Sequence, residues 1–309
     1  MMRSFTPLVV LLYFTVARGQ LKMTIPSFTL GYLSVPGANL YYETIGSGPL
    51  LLFISGGNGD ADIWRQIAYV LASNFTVAIY DRRGYSRSYL SPVAIQDYSK
   101  RLETDVNDAA FLIQHLSEVP GEATVLGTSS GAIVALELLV EHPELLGTLI
   151  SHEAPAITVL PDRANLTIGQ TAIYDTYRKY GIPPALVQFG ALYASQNDTV
   201  ALIVSMDTHT KEFMNGNNFV WFERELLPYP LYEFDLDKMS LGKSKLMLAN
   251  GVETNPQALH YRANVQLATM FGLDVNVLPG GHVGYREDPQ GWAIALVQAL
   301  VKRAAGANQ

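Results

Sequence analysis

The chain has 309 residues, 49% of them hydrophobic and 16% charged, with a formal net charge of −7 and a pI near 5.4. That composition excludes the disordered and fibrous classes. The acidic balance leaves no basic face for phosphates, so nucleic acid is not an expected partner. Cysteine is absent, which excludes disulfides, thiolate nucleophiles and cysteine-ligated zinc.

The N-terminus opens with a short basic start, Met1-Met2-Arg3, followed by an apolar run from Phe5 to Ala17 and the small-residue pattern Ala17-Arg18-Gly19. This pattern predicts a secretory signal peptide over residues 1–19. The competing reading is an extension ahead of a true start at Met23. The apolar run is shorter than the ~20 residues a spanning helix needs, and no later segment reads as transmembrane. The sequons at Asn74, Asn165 and Asn197 suit a secreted glycoprotein. A cytoplasmic protein is expected instead if translation starts at Met23.

From there, short apolar runs alternate with amphipathic stretches, the pattern of a mostly parallel sheet covered by helices. Strands are expected at Asn39–Ile45, Leu50–Ile54, Phe75–Tyr80, Ala123–Leu126, Thr148–Ser151, Lys245–Ala249 and Val275–Leu278. Leu50–Ile54 is apolar throughout, as a strand covered on both faces should be. Helices are expected at Arg101–Leu116, Ser130–Val140 and Gly291–Ala304. Residues 156–243 break the rhythm, being helical in pattern and rich in aromatics such as Tyr177, Tyr193, Trp221 and Tyr229. They read as a helical lid inserted into a core made of residues 24–155 and 244–305.

Gly127-Thr128-Ser129-Ser130-Gly131 fits the G-x-S-x-G pattern. It follows an apolar strand and opens an Ala/Ile/Val/Leu-rich helix, the context a nucleophile elbow requires. Ser129 is therefore the expected nucleophile. The glycine-rich loop Ser55-Gly56-Gly57-Asn58-Gly59 follows another strand. Its Gly57 N–H and that of Ser130 are the expected oxyanion donors. A serine needs a base, and His282, in Pro279-Gly280-Gly281-His282 after the last strand, stands where the chain order Ser, acid, His puts it. His115 and His142 lie toward helix ends, and His209 and His260 in helices or the lid. His152 ends a strand and could line the site. The acid that orients the imidazole is expected to be Glu253, after the strand Lys245–Ala249. Glu153, just past Thr148–Ser151, is the alternative.

These motifs, together with Asp81-Arg82-Arg83-Gly84-Tyr85-Ser86-Arg87-Ser88, resemble the α/β-hydrolase superfamily over residues 28 to 305. They are most similar to bacterial and fungal members of unassigned substrate, some encoded with natural-product pathways. The resemblance implies an α/β-hydrolase fold with a helical lid. The Asp81–Ser88 segment would then be a supporting turn. Two positions depart from the family pattern: Ser55 stands where a histidine is usual, and Ser86 where a glycine is. The expected activity is a serine esterase, thioesterase or lactonase acting on a mid-sized apolar small molecule without a cofactor or metal. The alternatives are carbon–carbon cleavage, cyclisation or condensation by proton transfer, or a non-catalytic small-molecule binder.

Overall fold

A computed structural model describes residues 27–57, 59–193, 200, 203–204, 206–209 and 211–306. The expected signal peptide, Met23, Asn58 and the Asn197 sequon lie outside the described residues. The strands are β1 (Thr29–Val35), β2 (Ala38–Ile45), β3 (Leu50–Ile54), β4 (Thr76–Tyr80), β5 (Tyr89–Leu90), β6 (Ala123–Thr128), β7 (Leu146–His152), β8 (Leu246–Gly251) and β9 (Val275–Leu278). They form one sheet in the order β1-β2-β4-β3-β6-β7-β8-β9, with β5 paired to β2. The β1–β2 and β2–β4 pairs are antiparallel, and every pair from β4 across to β9 is parallel.

Every residue of β3 is buried, because helices cover both faces of the sheet. On one face lie α2 (Arg101–Leu116) and α3 (Ser130–Glu141), joined by α8 (Leu259–Phe271). Against the other pack α1 (Arg65–Leu71) and α10 (Pro289–Gly306), which bury Ile67, Leu71, Trp292 and Leu296. Eleven of the twelve residues of α3 are buried. That explains its largely apolar sequence, since it has almost no solvent face to make polar; the buried Glu137 accepts a hydrogen bond from Tyr232 at 2.6 Å.

Between β7 and β8 the chain forms α4 (Arg163–Tyr180), α5 (Ile182–Tyr193), α6 (Met214–Arg224) and α7 (Leu236–Leu241). Its aromatics are mostly its own core, with Tyr177, Phe189, Tyr193, Trp221 and Phe222 buried together alongside Tyr85 and Leu259 of the surrounding fold. Each strand expected from the sequence is present. Sequence reading did not separate β1, whose residues are largely exposed, nor the seven-residue α1. Neither carries a strong periodic signal. A four-residue helix, α9 (Gly284–Glu287), precedes α10.

Candidate active site

Ser129 occupies the turn between β6 and α3 with φ 54° and ψ −128°, a conformation that L-residues rarely hold and that costs ~1–3 kcal/mol. The flanking glycines make the turn possible. A Cβ on Gly127 would lie 2.2 Å from the Gly131 carbonyl oxygen, and one on Gly131 would lie 2.4 Å from that of Ile54. The strand-to-helix junction therefore leaves no room for a side chain two residues to either side of the serine. Ser129 N–H donates to the His152 carbonyl at 3.0 Å, and the Ser129 carbonyl receives the Ala132 N–H at 2.9 Å. The serine is half-buried, whereas Ser130 is buried.

The imidazole of His282 is held by Glu153. Nδ1 of His282 lies 2.6 Å from Glu153 Oε2, and the other carboxylate oxygen accepts the Gly251 N–H at 2.8 Å. A carboxylate only accepts, so Nδ1 carries the proton and Nε2 keeps its lone pair. Burial resists the charge on Glu153. The hydrogen bond from His282, together with the pull of the His260, His152 and His282 imidazoles, outweighs it and holds the carboxyl well below the usual carboxylate range. Glu153 itself takes a left-handed backbone, φ 50°, one residue beyond the β7 ladder.

Glu253, the acid expected from the sequence, is not brought to the histidine. It sits in the exposed turn after β8, and its backbone N–H donates to the Gly280 carbonyl at 2.9 Å. The physical reason is that Gly251, which ends β8, gives its N–H to Glu153. The chain then turns outward, and Glu153 arrives from the neighbouring strand by a shorter route. The sequence alternative Glu153 is the one the structure places on His282.

Two more imidazoles surround this carboxylate. His152 and His260 are both buried. The His152 ring stacks on His282 with centroids 6.0 Å apart, and the His260 ring centroid lies 4.6 Å from that of His282. Nδ1 of His152 lies 2.8 Å from Thr128 Oγ1. Burial presses His152 down to about 4, against the pull of Glu153. Burial and then the neighbouring His282 press His260 down to about 3. Both are neutral at pH 7. The sequence pointed to His152 as a possible lining residue but gave no signal for His260, whose helical position looks ordinary without the tertiary fold.

The glycine-rich loop after β3 is pinned from several sides. Ser55, in the place of the family's histidine, is buried. It donates through Oγ to the Asp60 carbonyl at 2.9 Å and accepts from Trp64 Nε1 at 3.0 Å. A Cβ on Gly56 would approach Ser129 Cβ to 2.9 Å, and one on Gly57 would lie 2.7 Å from the Trp221 indole. The loop thus runs between the elbow and an aromatic of α6.

The Asp81–Ser88 turn supports this arrangement. Asp81 accepts the backbone N–H groups of Ala61 and Arg87 at 2.8 and 2.9 Å. Ser86 holds φ 42°, the left-handed conformation for which the family uses glycine. Asn217 of α6 compensates by accepting the Ser86 N–H at 2.8 Å and donating to its Oγ at 2.9 Å. Arg82, fully buried, donates to the Gly56 carbonyl at 3.2 Å and pairs with Asp105 and with Glu225 beyond α6. Arg101 joins the same two carboxylates.

The strand order, the strained serine elbow and the histidine–carboxylate pair define an α/β hydrolase. Residues 49–174 match the family described as alpha/beta hydrolase fold. The chain is 32% identical over 82% of its length, and over 90% of the relative, to the uncharacterized hydrolase YraK of Bacillus subtilis. This protein belongs to the α/β-hydrolase family and is an enzyme of the hydrolase class. It is also 26% identical to the zearalenone hydrolase of Bionectria ochroleuca, covering 89% of this chain and 98% of that one. Among solved structures, an esterase from Thermogutta terrifontis shares the fold with a TM-score of 0.66 at 19% identity, covering 90% of this chain and 98% of that one.

Proposed function

We propose that this protein is a serine hydrolase that cleaves an ester, thioester or lactone of a mid-sized apolar small molecule through an acyl-enzyme at Ser129. The observation that carries the reading is the 2.6 Å contact between His282 Nδ1 and Glu153, next to the strained Ser129 elbow. The carboxylate fixes the tautomer whose Nε2 can take the serine proton, and it stabilises the imidazolium that forms. Ser129 Oγ attacks the acyl carbon as His282 takes its proton. His282 then returns that proton to the leaving oxygen or sulfur, and water repeats the sequence to release the acid. The N–H groups of Gly57 and Ser130 receive the oxyanion. Helices α4–α7 act as a lid, with Trp221 against Gly57 and the Tyr193 ring stacked on that of His260 at 6.3 Å. Lactones are favoured within this class because a relative matching 89% of the chain is named for hydrolysing zearalenone.

No described helix is long and apolar enough to cross a membrane. For compartment we propose the secretory route, with exposed Asn74 and Asn165 as glycan acceptors. The test is the size and glycosidase sensitivity of the product from a eukaryotic host.

The mechanism is tested with a fluorophosphonate probe and a panel of p-nitrophenyl esters and lactones. Labelling of Ser129 with ester or lactone turnover supports it. A silent serine, with turnover of a carbon acid through His282, moves the reaction to proton transfer.

A further inference from the structure

Glu153 is met by two imidazoles, and the triad uses one of them. His260, on the first turn of α8, points its Nε2 at Glu153 Oε2 from 3.6 Å. The residue is 3% exposed, and neither of its ring nitrogens has a hydrogen-bond partner. An unsatisfied buried imidazole costs free energy, so its orientation onto a carboxylate needs a reason. Ligand atoms of Glu153, His260 and His282 all lie within 4.8 Å of one another. Two imidazole nitrogens and one carboxylate oxygen form a donor set for a borderline divalent ion such as zinc, which binds them at ~2.0–2.2 Å. Ligands on a tetrahedral ion at those lengths stand roughly 3.3–3.6 Å apart, the spacing that Glu153 and His260 already have.

We infer that Glu153, His260 and His282 form an inhibitory site for Zn²⁺ or a similar transition-metal ion. The ion inserts between the acid and the base of the triad and shuts the enzyme off. His260 and Glu153 need no large movement. His282 Nδ1, now 2.6 Å from the carboxylate, retreats by about an ångström to reach the spacing set by the ion. His282 has the 18%-exposed side chain of the three, so the ion enters past it. The proton balance explains the inhibition. In the resting enzyme Nδ1 carries the proton and Nε2 the lone pair. An ion on Nδ1 displaces that proton, and the neutral ring carries it on Nε2 instead. The nitrogen facing the serine is then a donor and cannot act as a base. When His282 starts as an imidazolium, one proton is released to solvent, so the ion binds more tightly as pH rises.

The inhibition rests on the proposed serine mechanism, but the binding does not, and the two are measured apart. Binding is read with Co²⁺ on tag-free Ser129→Ala protein, which keeps all three ligands. The expected result is stoichiometric binding with the visible ligand-field bands of a low-coordinate site, displaced by Zn²⁺. Adding His260→Gln weakens it by about 100-fold, since even residues supporting a ligand cost 10–100-fold when removed. His260→Asn is the second variant, and near-UV circular dichroism confirms that each is folded. His209→Gln, at an exposed histidine beside Asp207, and Glu253→Gln leave binding unchanged. In the enzyme with Ser129 intact, Zn²⁺ blocks ester turnover, a chelator restores it, and His260→Gln resists. Failure of folded Ser129→Ala protein to bind Co²⁺, or equal binding by the His260 variants, overturns the site. Binding without inhibition of an active esterase overturns the inhibitory role alone.

Discussion

Arg82 of the core and Glu225 of the inserted helices form an ion pair in which both side chains are fully buried. Arg82 also holds the Gly56 carbonyl, so the pair ties the insertion to the loop beside Ser129. Removing Glu225 leaves two buried guanidinium groups, Arg82 and Arg101, on the single carboxylate of Asp105, and one uncompensated buried charge costs about 3–5 kcal/mol. Glu225→Ala is expected to lower the unfolding free energy by that much, read as a lower denaturant midpoint at unchanged slope. It should also impair turnover measured well below the transition, because the Gly56–Gly57 backbone loses its brace. Unfolding curves and kcat/KM on the same sample check both effects.

The strained serine gives a second expectation. Ser129→Ala should reduce ester turnover by ~10³-fold or more, as loss of a nucleophile does in comparable enzymes. Ser129→Gly should be equally inactive yet at least as stable as the wild type. Relief of ~1–3 kcal/mol of backbone strain outweighs the roughly 0.5–1 kcal/mol that glycine's freedom costs. Thermal melts of the three proteins decide it. A Gly variant clearly less stable than the Ala variant would show that the elbow is not strained.

The two glutamates separate by kinetics. Glu153→Gln should lower kcat by ~10²–10⁴-fold, because an amide neither enforces the tautomer nor stabilises the imidazolium. Glu253→Gln should leave kcat within about threefold, as expected for an exposed surface change. Steady-state rates on one p-nitrophenyl ester, with both variants shown to be folded, give the ranking. The reverse ranking would return the acid to the loop after β8.

Acid sensitivity follows from the buried histidines. His152 and His260 have folded-state values near 4 and 3, below the unfolded value of ~6.5. Between those limits the unfolded chain binds more protons than the folded one. Stability is therefore full above about pH 6.5 and falls as the pH drops toward the folded values. From pH 7.5 to pH 5 each residue should contribute a loss of about 2 kcal/mol. His152→Gln and His260→Gln should each flatten the slope of unfolding free energy against pH. An unchanged slope in both would show that the imidazoles are not the proton-linked groups.

Much of this was readable from residue order. Continuous apolar runs marked the buried parallel strands, and the G-x-S-x-G context marked Ser129, because both depend on local sequence. The break in rhythm over residues 156–243 marked the helical insertion, and the resemblance to a family marked the Asp81–Ser88 turn. The acid was harder. Glu153 and Glu253 each follow a strand and each satisfy the chain order, so only the direction in which each chain leaves its strand distinguishes them. His260 was invisible for a related reason: its role depends on how α8 packs beneath β7 and β8, not on any neighbour in sequence. The buried pairing of Arg82 with Glu225 spans 143 residues and has no local signature at all.

The last pair of residues that β6 and β7 share in register is Thr128 with His152. Ser129 and Glu153 each stand one residue beyond it. Serine and carboxylate thus hang from adjacent rungs of the same ladder, and the proposed mechanism asks no catalytic side chain of the turn after β8. Val252, Glu253, Asn255, Pro256 and Gln257 in that turn are all exposed. Evolution can exchange these side chains while the backbone stays in place, because the Val252 and Glu253 N–H groups hold the Leu278 and Gly280 carbonyls of the segment leading to His282, and an engineer has there side-chain positions on which to mount a tether or a reporter.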